Sequence, residues 1–245
     1  MARIRGILFD LGDTLLDFGP VDTLRMFEAG ARLAYAYLWK IDQPLPPFRV
    51  FHRRQLRAVK WRYVWSRIIR REFNSLDVLD KLSLAMGQRL TPAQTEELAW
   101  MWYEPLSLVA KVEEGLPAML AEWRRQGLTL GLVSNTFVPP SVLDRHLAAA
   151  GLLEHLPIRV YSCQTRYRKP HPRIFQIALE RTGLSPGQTL FVGDSLVADI
   201  RGANQAEMMT VLKDPTGQRR LGRVKPDFRI RALRELPGIV VRLTS

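Results

Sequence analysis

The amino-acid sequence predicts an α/β fold, in which helices flank a parallel sheet and a helical segment is inserted into the chain. Short apolar runs recur along the sequence, and their continuous hydrophobicity is typical of strands buried on both faces of a sheet. Helix-like segments that end in a glycine separate several of these runs. The chain of 245 residues is long enough for one sizeable core together with an insert.

The strand candidates are apolar runs bounded by turn residues, each short enough to be a strand rather than a helix. They are residues 6–10, 128–135, 158–162, 189–195 and 208–213. Their alternation with helices predicts an open sheet with helices on both faces, whose ligands bind at the carboxyl ends of the strands. We also expect the basic stretch 218–231 to form a loop and a last strand.

Helix candidates lie between these strands at residues 117–127, 139–151 and 171–183. Each ends in a glycine, which suits the left-handed conformation common at the end of a helix. The segments are therefore predicted to be the helices that cover the two faces of the sheet.

Residues 18–110 are predicted to form a separate helical unit, because this stretch contains no strand candidate. One of its helices is predicted to begin at Thr91 as the N-cap, with Pro92 at the first helical position. We expect the unit to lie over the carboxyl edge of the sheet. Residues 1–17 and 111–245 are expected to form the core that contains the sheet.

The composition favours a protein that acts on anionic partners inside the cell. The formal net charge of +12 at pH 7 favours phosphorylated compounds, nucleic acid or an acidic membrane surface. Cys163 is the only cysteine, so an intramolecular disulfide is impossible, and a cytoplasmic location is expected. No apolar run approaches the ~18 residues that span a bilayer, so we expect no membrane segment.

Polar residues that suit phosphoryl transfer follow the predicted strands. Carboxylates hold a hard divalent cation such as magnesium through oxygen, and one carboxylate can attack phosphorus to give an aspartyl phosphate. A lysine and a serine can neutralise and orient the phosphoryl group. The candidates are Asp10, Ser134, Lys169, Asp194 and Asp199.

Four motifs in order resemble those of the haloacid dehalogenase-like hydrolase superfamily, in its phosphatase type. They are FDLGDTL at 9–15, LVSNT at 132–136, RKPHPRIF at 168–175 and FVGDSLVADIRGA at 191–203. The resemblance implies a Rossmannoid three-layer core with a parallel sheet. It also implies that the helical insert after the first motif is a mobile cap domain over the site.

The same resemblance implies a Mg²⁺ site and a nucleophile. Asp10 matches the nucleophile of the family. The magnesium ligands would be the side chains of Asp10 and Asp194 with the backbone carbonyl of Gly12, and Asp199 would support the metal through water. The implied cofactor is therefore Mg²⁺.

A phosphate-binding set is also implied by the resemblance. Ser134 and Lys169 would grip the phosphoryl oxygens. Backbone N–H groups near Leu11 and Asn135 could add contacts to the negatively charged oxygens.

The sequence departs from the family pattern at Gly12, where the family usually has the aspartate that protonates the leaving group and activates water. Asp13, one residue later, either takes over this proton transfer or acts as a turn residue that hydrogen-bonds nearby backbone; we favour the turn role. Gly12, just before it, permits φ values that could rotate Asp13 inward. A second departure is Glu207, where the family often has glycine, and we expect it to adjust a turn.

The segment 49–71 is rich in arginine and lysine, contains no acidic residue, and includes Trp61, Tyr63 and Trp65. We favour an amphipathic helix whose charges attract an anionic substrate. The alternative is a surface that binds nucleic acid through phosphate contacts and base stacking.

The first hypothesis for the function is a Mg²⁺-dependent hydrolase of a small phosphate monoester that forms an aspartyl phosphate. The alternative is a weakly active or non-catalytic protein of this fold that binds a polyanion or nucleic acid, which the loss of the usual acid at Gly12 favours. A haloacid dehalogenase is the second alternative. It is less favoured because Asp194 and Asp199 indicate a metal site, which displacement at carbon does not need.

Overall fold

The structure is a computed structural model that describes residues 3–69 and 71–244. It divides into two compact units. The first consists of Met1–Asp17, Lys111–Asn135 and Ala148–Ser245 and contains the sheet. The second consists of Phe18–Ala110 and Thr136–Leu147 and is helical.

The sheet of the first unit has six parallel strands in the order β3-β2-β1-β4-β5-β6. Its strands are β1 (Gly6–Phe9), β2 (Thr129–Ser134), β3 (Ile158–Tyr161), β4 (Thr189–Gly193), β5 (Met209–Lys213) and β6 (Phe228–Ile230). The predicted α/β fold with a parallel sheet is confirmed. All five predicted strands are present, and the sixth lies in the basic stretch where a last strand was expected.

The position of β1 in the middle of the sheet follows from its apolar sequence. All four of its residues are buried, and β2 and β4 pair with it on either side. The neighbouring core is a cluster of buried side chains from the sheet, from two covering helices and from the turn before β5, made of Leu8, Val133, Val160, Ile174, Phe175, Ala178, Phe191, Ala203 and Met208. Burying so much apolar surface around β1 holds the residue that follows it in a fixed place.

The helices of the first unit are α5 (Leu116–Arg125), α7 (Ser162–Thr165), α8 (Pro172–Thr182), α9 (Arg201–Gln205) and α10 (Leu236–Thr244). Helices α5 and α8 correspond to two of the predicted segments. A π-helical turn at Leu196–Ile200 leads into α9. This turn contains Asp199, one of the predicted site residues.

The second unit contains α1 (Thr23–Lys40), α2 (Phe48–Ile69), α3 (Ser75–Ala85) and α4 (Pro92–Val109). The predicted start of α4 is confirmed: Thr91 is the N-cap, Gln94 completes a capping box, and Pro92 opens the helix. Helices α1 and α4 approach so closely that a Cβ on Gly30 would lie 2.4 Å from the Trp102 carbonyl oxygen.

The third predicted helix is present as α6 (Pro140–Ala149), but most of it belongs to the helical unit rather than to the core expected from the sequence. Contacts with α4 explain this grouping. The hydroxyl of Tyr103 lies 2.9 Å from Nδ1 of His146, and Arg145 forms an ion pair of 2.8 Å with Glu97. That the helical unit covers the site stays a prediction.

No helix within residues 3–69 and 71–244 combines the length and the apolar character needed to cross a membrane.

Candidate active site

A buried lysine between two buried carboxylates forms the centre of the candidate site. Nζ of Lys169 lies 2.5 Å from Oδ1 of Asp10 and 2.6 Å from Oδ1 of Asp199. Asp10 directly follows β1, and all three residues are at most 8% exposed. The structure therefore brings together side chains from three of the motifs at the carboxyl end of the sheet.

Asn135 holds the loop that carries Lys169. Its side-chain Oδ1 accepts a hydrogen bond of 2.7 Å from the backbone N–H of Lys169, and its Nδ2 donates one of 2.9 Å to the Lys169 carbonyl. The Lys169–Pro170 peptide bond is cis. The amide of Asn135 thus positions Lys169, a role that the sequence analysis did not assign to it.

The backbone at the end of β4 lies close to the Asp199 carboxylate and hydrogen-bonds to it. The N–H of Ser195 donates a hydrogen bond of 2.9 Å to Oδ2 of Asp199. A Cβ on Gly193 would lie 2.5 Å from atoms of the Asp199 side chain. Glycine is therefore required at 193 for the carboxylate to lie this close to the strand.

Asp194 is half-buried and is paired with Arg219. Nη2 of Arg219 lies 3.1 Å from Oδ2 of Asp194, and Nη1 donates a hydrogen bond to the Asp194 carbonyl. Sequence reasoning missed Arg219, which lies in the basic stretch expected to be a loop. Only the density of positive charge marked that stretch.

Asp10, Asp194 and Asp199 together could hold a cation. Each offers one carboxylate oxygen, and these oxygens all lie within 4.8 Å of one another. Three carboxylates at such distances repel one another, and a hard divalent cation bound by oxygen ligands relieves that repulsion. The chemistry of the donor set fits Mg²⁺ better than a soft metal.

The electrostatics of the site perturb its titrating groups. Burial raises the pKa of Asp10 to about 7, and the charges of Asp199 and Asp194 add to this, while Lys169 opposes it. Burial acts to lower the pKa of Lys169, but Asp10 and Asp199 outweigh burial and raise it. Burial and the charge of Asp199 also raise the pKa of Asp194, against the effect of Arg219. The raised pKa values of Asp10 and Asp194 reflect burial first and, after it, the crowding of negative charge that a cation would neutralise.

The turn after Asp10 differs from what the sequence suggested. The left-handed backbone falls on Asp13, with φ 59°, and not on Gly12. The N–H of Asp13 donates a hydrogen bond of 2.7 Å to the Leu16 carbonyl, whereas its exposed carboxylate accepts none from the residues that the structure describes. Asp13 is thus a turn residue through its backbone.

Two further side chains in this region were not predicted. The hydroxyl of Thr14 lies 3.4 Å from Oδ2 of Asp10. Lys213, buried at the end of β5, donates a hydrogen bond of 2.8 Å to the Thr14 carbonyl. These contacts stabilise the turn that follows Asp10 in the sequence.

Ser134 ends β2 and is 5% exposed. Its hydroxyl forms no hydrogen bond with any other described residue. The hydroxyl therefore has donor and acceptor capacity to offer to a ligand, as expected of a group that contacts a phosphoryl oxygen.

Comparison with known proteins identifies the family. The model of the haloacid dehalogenase-like hydrolases matches residues 4–207. The chain belongs to this family. The resemblance seen in the four motifs is thereby confirmed, and the family match extends through the helical insert.

Several phosphatases are similar to this haloacid dehalogenase-like hydrolase. A phosphoserine phosphatase of Thermus thermophilus is 36% identical over 119 residues, which is 49% of this chain and 47% of that protein. The human N-acylneuraminate-9-phosphatase is 23% identical over 98% of this chain and 95% of its own length. The chain thus spans about half the length of the Thermus phosphatase.

The fold is also similar to that of a solved HAD phosphatase from Thermococcus onnurineus. The TM-score is 0.62 and the identity 25%, with 97% of this chain and 98% of the other covered.

Proposed function

We propose that this haloacid dehalogenase-like hydrolase is a Mg²⁺-dependent phosphatase that hydrolyses a small phosphate monoester through an aspartyl phosphate on Asp10. The observation that carries the proposal is the Asp10 carboxylate held by Lys169 beside two further carboxylates at the end of the parallel sheet. A phosphatase needs a nucleophile, a cation and counter-charges for phosphoryl oxygens, and this arrangement supplies groups for each of them.

In the first step an oxygen of Asp10 attacks phosphorus, and the bond from phosphorus to the leaving oxygen breaks. In the second step water attacks the phosphorus of the aspartyl phosphate, which releases inorganic phosphate and restores the carboxylate. Lys169 and Ser134 neutralise and orient the phosphoryl oxygens in both steps. Lys169 can do so because it lies 2.5 Å from the Asp10 oxygen, and therefore beside any phosphorus bound to that carboxylate.

The Asp10 and Asp194 carboxylates and the Gly12 carbonyl are the proposed ligands of Mg²⁺, with Asp199 supporting it through water. When bound, the ion supplies positive charge that offsets the repulsion between the anionic nucleophile and the anionic substrate. Asp199 also orients Lys169 through their ion pair of 2.6 Å.

A small phosphorylated metabolite is the proposed substrate class. Two similar proteins are called phosphoserine phosphatase and N-acylneuraminate-9-phosphatase, names that indicate phosphate esters of small polar molecules. The net charge of +12 favours anionic substrates of this kind.

The proposal is tested by screening a panel of phosphate monoesters with Mg²⁺ and with a chelator in its place. We expect release of inorganic phosphate only with the divalent cation. The same assay with 2-haloacids distinguishes the dehalogenase alternative, because halide release that continues in the chelator, without phosphate release from the panel, would contradict the proposal.

A second candidate function, the binding of a polyanion, is favoured by the exposed aromatic side chains of α2. Trp61 is 73% exposed and Trp65 is 55% exposed, on a helix whose cations are not balanced by acids. Arg70, near the end of this basic segment, lies outside the described residues. Exposed tryptophans beside arginines are a combination that stacks on bases and binds phosphates.

We expect only weak binding of single-stranded nucleic acid, with a Kd of about 10⁻⁴ to 10⁻⁶ M that weakens steeply as salt rises. Fluorescence anisotropy over a salt series measures it. Four exposed cations of α2 are neutralised together in the test variant: Arg53, Arg54, Arg57 and Lys60. Four exposed cations of the first unit are neutralised in the matched control: Arg223, Lys225, Arg234 and Arg242. Tight binding at physiological salt that only the test variant loses would favour the nucleic-acid interpretation of α2.

A further inference from the structure

Arg219 contacts Asp194 at two different oxygens. One guanidinium nitrogen lies 3.1 Å from the carboxylate Oδ2, and another donates to the backbone carbonyl of the same residue. We infer that Arg219 is a positioning residue that orients the Asp194 carboxylate for Mg²⁺ binding. This inference rests on the proposed function and assigns a role to the loop after β5, which lies outside the four motifs.

The loop that carries Arg219 is held by a buried carboxylate. Asp214 is 1% exposed and accepts hydrogen bonds of 3.0 Å from the Arg219 N–H, 3.2 Å from the Gly217 N–H and 3.0 Å from the Thr216 hydroxyl. Arg229 of β6 forms an ion pair with the same carboxylate. Burial acts to raise the pKa of Asp214, but these hydrogen bonds outweigh burial and lower it to about 2. The backbone of Arg219 is therefore held by a carboxylate that is charged at neutral pH.

Contact at two oxygens of one residue restricts how the Asp194 side chain can rotate. The carbonyl is part of the backbone and does not move with the side chain, so the guanidinium joins the carboxylate to a fixed point. A carboxylate has two oxygens, and Arg219 takes Oδ2. The other oxygen is left for a cation, and its direction is set by the hydrogen bond to the arginine.

The positive charge of Arg219 also repels a cation and so weakens its binding. This repulsion has to be compared with the orienting effect, which strengthens binding. The Arg219 side chain is 40% exposed, and charge repulsion through water-exposed regions is strongly screened. The orienting contacts are local and are not screened in this way. Hydrogen-bond partners of metal ligands contribute about 10- to 100-fold to metal affinity. We therefore expect the orienting effect of Arg219 on Mg²⁺ affinity to exceed the charge repulsion.

The test is isothermal titration of Mg²⁺ into the full chain. We expect Arg219→Ala to bind Mg²⁺ about 10- to 100-fold more weakly than the unaltered protein. Arg220→Ala is the matched control: it removes the same charge from the neighbouring exposed residue, which has no hydrogen bond or ion pair with other described residues. Its affinity should be unchanged. Arg219→Lys keeps the positive charge but lacks the planar guanidinium that contacts both Asp194 oxygens. Its affinity for Mg²⁺ should therefore be intermediate.

Tighter or equal Mg²⁺ binding in Arg219→Ala would overturn the inference, as would an equal loss in Arg220→Ala. A chain that binds no Mg²⁺ before any substitution would overturn the proposed function and the inference with it. If Arg219→Ala does not fold, Asp214→Asn gives a second measurement. This variant keeps the arginine itself but weakens the contacts that hold its loop. Weaker Mg²⁺ binding in that variant supports the inference, and unchanged binding contradicts it.

Discussion

Asp10→Asn is expected to remove hydrolysis of an aryl phosphate, with a loss of kcat/KM on the order of 10³-fold or more. The amide has nearly the shape of the carboxylate but is not a nucleophile for phosphorus. The substitution also takes away the negative charge that lies 2.5 Å from the Lys169 ammonium. Release of p-nitrophenol at saturating Mg²⁺ measures the effect.

Glu114→Gln provides the control for this carboxylate-to-amide change. Glu114 is exposed in the first unit, and its side chain has no hydrogen bond or ion pair with other described residues. Its variant should keep full activity. Full activity in Asp10→Asn would show that Asp10 is not the nucleophile. Equal rates of the unaltered protein with Mg²⁺ and with a chelator would contradict the proposed Mg²⁺ dependence.

The absence of a side chain at Gly12 is expected to make turnover depend strongly on the leaving group. A phenolate departs without a proton, whereas an alkoxide needs one from a general acid, whose help is worth about 10²- to 10⁴-fold. Aryl phosphates should therefore be hydrolysed and alkyl phosphates poorly. Comparing kcat/KM for a series of esters of rising leaving-group pKa measures this dependence.

Gly12→Asp should raise activity on alkyl phosphates most. Gly12 does not have a positive φ, so its backbone conformation is one that aspartate can adopt. Asp13→Asn should change little, because asparagine tolerates the φ of 59° at this position and keeps the backbone hydrogen bond to Leu16.

The alternative is that Asp13 is the general acid that protonates the leaving group. The negative charge of Asp13 is one of the causes that raise the pKa of Asp194, although it acts less than burial and the charge of Asp199 do. If Asp13→Asn abolishes turnover of alkyl esters while Mg²⁺ still binds, Asp13 is the general acid and the account of Gly12 is wrong.

The grouping of the candidate site residues was predictable in part, because Asp10 and Asp194 directly follow strands and Ser134 ends one. The carboxyl ends of parallel strands meet at one edge of the sheet, so Asp10, Ser134 and Asp194 had to lie near one another. The ion pairs of Lys169 with Asp10 and Asp199 bring these motifs into contact.

Side-chain contacts between residues far apart in the sequence were not predictable, because no local sequence pattern specifies them. The amide of Asn135 bonds a backbone 34 residues away, and Arg219 reaches 25 residues back to Asp194. Glu207 illustrates a local exception: it has φ 59°, which glycine favours, at the position where the family often has glycine. The expectation that it belongs to a turn agrees with this backbone.

A phosphoryl group on Asp10 during turnover is the most direct consequence of the proposed mechanism. Without a general base at Gly12 to activate water, hydrolysis of the aspartyl phosphate should be slower than its formation from an aryl phosphate, so the phosphorylated enzyme should accumulate. Rapid acid quenching followed by peptide mass spectrometry measures it. We expect an added phosphoryl group on the Asp10 peptide, together with a burst of phenol release, and less of both in Gly12→Asp. Steady turnover with no burst and an unmodified Asp10 peptide would contradict it.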